Sequence, residues 1–310
     1  MVFGVIIPYD NPNLHDQKEL SDVNDDFFQK VFDSSFLLIH RIFQTICFFV
    51  FFGPIKLFAS VIVCILWWIT MRVLNLFSKL FRTQLQFKLF AHSIMRHFCR
   101  FLLFTLGIVN IQIDGKIDKH SRIVLSNHLS VFDFLVQFCV SPVTIVKKSD
   151  APGIESRIFG PIFDVFYLKQ KKKVSPSDQL SNLASDPSYL PILLYPEDIA
   201  TNGSAIMKFR TAAFFCQYQV QATSIQYKLC LTPKGFNSMY CKNVFSFQYL
   251  LQILSVPFIQ CKLKYHPVLT DKNEDEEKDP IMEATKCQLT IANELGSLAI
   301  IKHINKKRLY

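Results

Sequence analysis

The stretch RIVLSNHLSVFDFLVQFCV, Arg122 to Val140, decides the fold. It opens as a short apolar strand, Arg122–Leu125, passes through Ser126-Asn127-His128, and resumes as an apolar segment of helical character, Phe132–Val140. Strand, polar turn and helix form the unit from which α/β sheets are assembled. His128 and Asp133 lie five residues apart. On a regular helix five residues turn by about 500°, so the two side chains would face different ways. They meet only if His128 sits in the loop and Asp133 in the first helical turns. A His held by a carboxylate is a general base matched to neutral pH; the acid fixes its tautomer and stabilises the imidazolium. A structurally satisfied His is the plain alternative for this spacing taken alone.

Outward from this unit, Val109–Ile113, Val143–Val146, Tyr189–Leu194, Val220–Leu231 and Phe258–Tyr265 read as further strands. Ile281–Leu295 reads as a final helix closed by Gly296. Strands interleaved with helices predict an α/β fold with a mixed sheet flanked by helices. The chain has 310 residues, half of them hydrophobic and only 19% charged, which excludes a disordered chain. Its nine Cys are scattered and form no Cys-x-x-Cys, so they read as reduced thiols and no metal site is expected.

The net charge of +9 is unevenly spread. Residues 1–35 form a polar, acidic leader, whereas Arg72, Lys79, Arg82, Lys88, Arg96 and Arg100 follow without an intervening acid. This basic block directly follows an apolar segment, which points to a lipid surface rather than to nucleic acid. From Ile42 to Met71 the only charge is Lys56. Gly53-Pro54 falls in the middle of that segment, where it predicts a break between two short arms, a hairpin in one leaflet over residues 36–71. A single tilted span is the competing arrangement. Trp67 and Trp68 near its end fit an interfacial belt, or simple packing. Residues 72–107 read as a basic amphipathic helix, lying on the membrane or packed on the core.

A second motif, YPEDIATNGSAIMKF from Tyr195 to Phe209, also follows a strand. Together, Asn127-His128-x-x-x-x-Asp133 and Pro196-Glu197 with Asn202-Gly203 resemble the glycerophospholipid acyltransferase family. Tyr195-Pro196-Glu197, Ala200-Thr201-Asn202-Gly203, Val256-Pro257-Phe258 and His266-Pro267-Val268 are similar to its divergent branch, the ancient ubiquitous protein 1 family. The resemblance implies a catalytic His128 and Asp133, with His128 taking a proton from an acceptor hydroxyl that attacks an acyl-CoA thioester. It implies a substrate-binding role for Asn127, Lys169, Glu197, Asn202 and Gly203, no cofactor, and acyl-CoA as co-substrate. Asp198-Ile199-Ala200 stands where the family has Gly-Thr-Arg, so a phosphate-binding Arg is missing and Asp198 would repel a phosphate. Lys169 stands where the family has another Arg.

The implied organisation is an acidic leader (1–35), a membrane hairpin (36–71), an acyltransferase-like domain opened by a basic membrane-facing helix (72–270), and an acidic loop, final helix and basic tail (271–310). The ubiquitin-binding CUE domain and the E2-binding helix of the branch are not expected in this chain. The branch implies membrane lipids and the lipid-droplet monolayer as partners, together with the endoplasmic reticulum degradation machinery. It implies a location on the cytosolic face of the endoplasmic reticulum membrane and on lipid droplets. Two readings of function remain open. In one the domain is a platform for lipid-droplet regulation and protein quality control. In the other it is an active acyl-CoA-dependent lysophospholipid acyltransferase. The sequon Asn202-Gly203-Ser204 reads as a chance match on a cytosolic loop, and the Lys-rich run at 169–173 as a solvated loop or an anion contact.

Overall fold

The structure, a computed structural model, describes residues 42–43, 46–81, 83–148, 165–169, 174–198, 200–203, 205–230, 239, 249, 253–268 and 279–300. The acidic leader, residues 170–173, the acidic loop up to 278 and the basic tail lie outside them. A π-helical turn, Cys47–Phe52, leads into α1 (Gly53–Phe77); α2 (Gln84–Thr105) precedes β1 (Ile108–Asp114) and β2 (Ser121–Ser126). Then come α3 (Asp133–Val140), β3 (Thr144–Lys148), β4 (Val165–Leu168), α4 (Pro176–Ser185), β5 (Ile192–Leu194) and β6 (Ala205–Ile206). The chain continues through β7 (Gln219–Cys230), β8 (Phe258–Val268), α5 (Pro280–Leu295) and β9 (Leu298–Ala299).

Seven strands form one sheet in the order β1-β8-β7-β2-β5-β3-β4. All its neighbours are parallel except the antiparallel pair β7–β8. The central strands are apolar runs because both faces of the sheet are covered. In β2, Val124 joins the core beneath α1, α2 and α3. Ile123 and Leu125 join the opposite core, under α4 and α5. The strand period of two thus separates the layers. The loops after β2 and β5 leave the same edge of adjacent parallel strands, which brings the two motifs together.

Gly53-Pro54 starts α1, with Pro54 in the first turn, where the missing N–H costs nothing. α1 then runs unbroken for 25 residues, across the boundary expected at 71/72. Val50–Phe77 is long and apolar enough to cross a membrane, judged by length and composition. The first arm of the expected hairpin lies mostly outside the described residues. The helix expected over 72–107 is two helices. Thr83 is extended and its hydroxyl caps α2 by accepting from Gln86 N at 3.2 Å.

One flank of α1 is docked on the domain. Lys56 Nζ donates to Val256 O at 2.5 Å and to Pro257 O at 3.4 Å, and Ser60 Oγ meets Thr105 Oγ1 at 2.8 Å. Trp67, Met71 and Leu74 are buried in the core. Trp67 therefore packs, while Trp68 is exposed with Arg72 over its ring at 5.1 Å. The other flank exposes Phe58 at 70%, and α2 exposes Phe101 at 63% near the same end.

Candidate active site

β2 delivers Asn127 and His128 to the sheet edge. The Asn127 side chain accepts from Ile225 N at 2.8 Å and donates to Ile225 O at 3.0 Å, which clasps the loop to β7. The loop then folds back so that Asp133, the first residue of α3, reaches His128. Asp133 Oδ2 accepts from His128 Nδ1 at 2.8 Å, Leu129 N at 2.6 Å and Ser130 N at 2.9 Å. Asp133 Oδ1 accepts from Tyr227 Oη at 2.8 Å. The carboxylate is fully buried, and these donors together with the helix N-terminus offset its desolvation. The five-residue spacing thus brings the pair together through the loop.

With Nδ1 donating to Asp133, the imidazole presents Nε2 as its free acceptor. The His128 side chain is 26% exposed, so it is reachable from solvent. Burial opposes its protonation. The hydrogen bond and charge of Asp133, and then the charge of Glu197, outweigh burial and raise it above the ordinary His value. The Tyr195 ring stacks on the imidazole, with centroids 4.5 Å apart.

Glu197 ties the second loop to the first. Its carboxylate accepts from His128 N at 2.9 Å through Oε1 and from Met207 N at 2.9 Å through Oε2. Burial pushes this carboxyl up to about 7, against the opposing effect of both N–H bonds and of His128. Thr201 N adds a bond to His128 O at 2.8 Å. Asn202 is buried in the same loop, and Gly203 adopts φ +83°, where a Cβ would come within 3.2 Å of Leu129 Cδ2. Ser297 Oγ braces the loop from the C-terminal side by donating to Gly203 O at 2.6 Å.

Lys169 is not beside His128. It lies at the end of β4, on a cavity of about 330 Å³ shared with Asp198, Arg210, Pro196 and Tyr195. Tyr195 is the link, since it lines the cavity and stacks on His128. Asp198 stands at the motif's Gly position and takes the left-handed backbone that Gly would, φ +64°. Its charge does not stand alone, as the sequence implied. Arg210 Nε binds Asp198 Oδ2 at 2.8 Å. Arg210 and Tyr227 were missed from sequence because neither falls in a motif; the Tyr195 ring carried no signal for stacking. Among the described residues, no group of His, Cys, Asp and Glu could hold a metal ion.

A His–Asp pair on the loop after one parallel strand is thus tied to a Pro-Glu loop after the next. No protein-family model matches the chain. It is 27% identical over 213 residues to lysophosphatidylcholine acyltransferase 2B of Rattus norvegicus, covering 63% of this chain and 38% of that protein. It is 26% identical over 198 residues to the lipid droplet-regulating VLDL assembly factor AUP1 homolog of Caenorhabditis elegans, covering 62% and 47%. The rat AUP1 factor is 26% identical over 212 residues, covering 66% and 48%. The chain therefore spans less than half the length of these relatives. The crystal structure of the 1-acyl-sn-glycerophosphate acyltransferase PlsC from Thermotoga maritima overlaps 84% of this chain and 95% of that one, with a TM-score of 0.48 and 15% identity.

Proposed function

We propose that this chain works at the surface of lipid droplets as an acyl-CoA-dependent lysophospholipid acyltransferase. His128 Nε2 removes the proton from an acceptor hydroxyl, and the resulting oxygen attacks the acyl thioester carbonyl. CoA thiolate leaves, and the proton held by His128 balances its charge. Asp133 orients the ring and stabilises the imidazolium. Asn127, Glu197, Asn202 and Gly203 hold the two loops, and Lys169 with Arg210 faces the acceptor's anionic part from the neighbouring cavity. The observation that carries this reading is the His128–Asp133 bond of 2.8 Å on an imidazole still open to solvent.

The docked flank of α1 supports an in-plane anchor. A helix held along one side by Lys56, Ser60, Trp67 and Met71 offers lipid its other side, with Phe58 outward beside Phe101 and Phe104 of α2. Such an anchor fits a droplet monolayer as well as the cytosolic face of the endoplasmic reticulum. A second reading is favoured by the Asp198–Arg210 pair, which occupies the cation the acceptor would need. In that reading the domain is a non-catalytic platform for droplet regulation and endoplasmic reticulum quality control. Transfer of labelled acyl groups from acyl-CoA to a lysophospholipid panel separates them. Transfer that vanishes in His128→Ala supports the enzyme; no transfer above that variant leaves the platform.

A further inference from the structure

We propose that Tyr227 is a positioning residue for the His128–Asp133 dyad and that β7 is the frame against which the dyad is set. This rests on His128 acting as the base. Asp133 Oδ2 is shared among three donors, whereas Oδ1 accepts from the Tyr227 hydroxyl at 2.8 Å. Tyr227 comes from a strand 94 residues away and is itself buried. Two residues earlier on β7, Ile225 exchanges two backbone bonds with the Asn127 side chain. Ile225 holds the loop by its backbone and Tyr227 by its side chain, so β7 grips it at both ends, before His128 and at Asp133.

A buried phenol needs an acceptor, and a buried carboxylate oxygen needs a donor; each meets the other's requirement. Burial and the charge of Asp133 hold the phenol's pKa well above its ordinary value, so it remains a donor. Removing the hydroxyl leaves Oδ1 bare, loosens the hold on the carboxylate while its bond to Nδ1 remains, and leaves more negative charge facing the imidazole. The charged and titratable groups around His128 are Asp133 on α3 and Glu197 with Tyr195 after β5. Cys261 and Tyr265 on β8, Cys139 on α3 and Arg100 on α2 complete the setting around Asp133 and Tyr195.

The test uses the full chain in micelles, with the His128 imidazole followed by NMR across a pH titration and assigned by its loss in His128→Ala. In Tyr227→Phe the His128 midpoint is expected to rise by roughly half to one pH unit. The acid limb of kcat/KM should move with it, and kcat should fall about tenfold with little change in KM. A fluorinated tyrosine at the same position, a stronger donor, should move the midpoint the other way. Midpoints unmoved in both variants overturn the proposal, whether or not the wild-type chain transfers acyl groups. Opposite shifts in a chain that transfers nothing uphold the positioning role and overturn the enzymatic function.

Discussion

Asp133 and Asp198 each follow a parallel strand by a few residues, and their surroundings could hardly differ more. Asp133 is fully buried and bound by four donors from its own loop and from β7. Asp198 lies at a cavity, paired with an Arg210 that is itself 50% exposed. The first environment is built around a carboxylate, because both its oxygens are bonded in a desolvated setting. The second screens its charges with water and accepts substitution at low cost. On the proposed function, this explains how the proton-transfer half keeps the motif of the acyltransferases it resembles while the acceptor half departs from it. The departure is also smaller than the motif implies, since Arg210 returns a guanidinium to the cavity from outside the motif.

The largest expected effect lies at Asp133. Asp133→Asn would set the wrong tautomer of His128, and transfer should fall by about 10³- to 10⁴-fold with the fold retained by circular dichroism. Glu197 comes next and is read by stability. Its carboxyl sits at about 7 in the folded chain against 4.5 ordinarily, so the folded state binds this proton more tightly. The Glu197 contribution is complete below pH 4.5 and is lost as pH rises towards 7, by ~3 kcal/mol. His128, also raised, adds in the same direction above its ordinary value of 6.5. In Glu197→Gln the melting temperature should be lower at acid pH and should depend less on pH across this window. An equally steep dependence would mean that another group titrates there. The smallest effect belongs to the cavity. Arg210→Ala should raise KM for an anionic acceptor about five- to tenfold and leave kcat nearly unchanged. A fall in kcat alone would place Arg210 in the chemistry and erase the contrast between the two halves.

Much of the scaffold was legible because its signals are local. β2 is a short apolar run, β8 alternates apolar and polar residues, and α5 runs from Asp279, which caps it, to Gly296 in the left-handed conformation. The His128–Asp133 pairing was legible because strand, loop and helix lie within twenty residues. α4 was not read, since its buried side is only Gln179, Leu180, Leu183 and Ala184 on an otherwise polar segment. Gly53-Pro54 was read as a break because a Pro in the first turn of a helix and one in the middle look alike in sequence. The purpose of Lys56 was invisible, because its carbonyl partners are 50 to 201 residues away. Tyr227 was hidden for the same reason, 94 residues from Asp133, and Arg210 because it meets Asp198 only where the chain after β5 folds back. Their roles exist only once β7 and the loop after β5 are laid beside the dyad.

Chemical rescue bears most directly on His128 as the base. Transfer from labelled acyl-CoA would be followed in His128→Ala with and without added imidazole, beside the wild-type chain. Transfer by the wild type, its loss in the variant and its partial return with imidazole are the expected results. A variant as active as the wild type would contradict the account, as would a wild-type chain that transfers nothing to any acceptor.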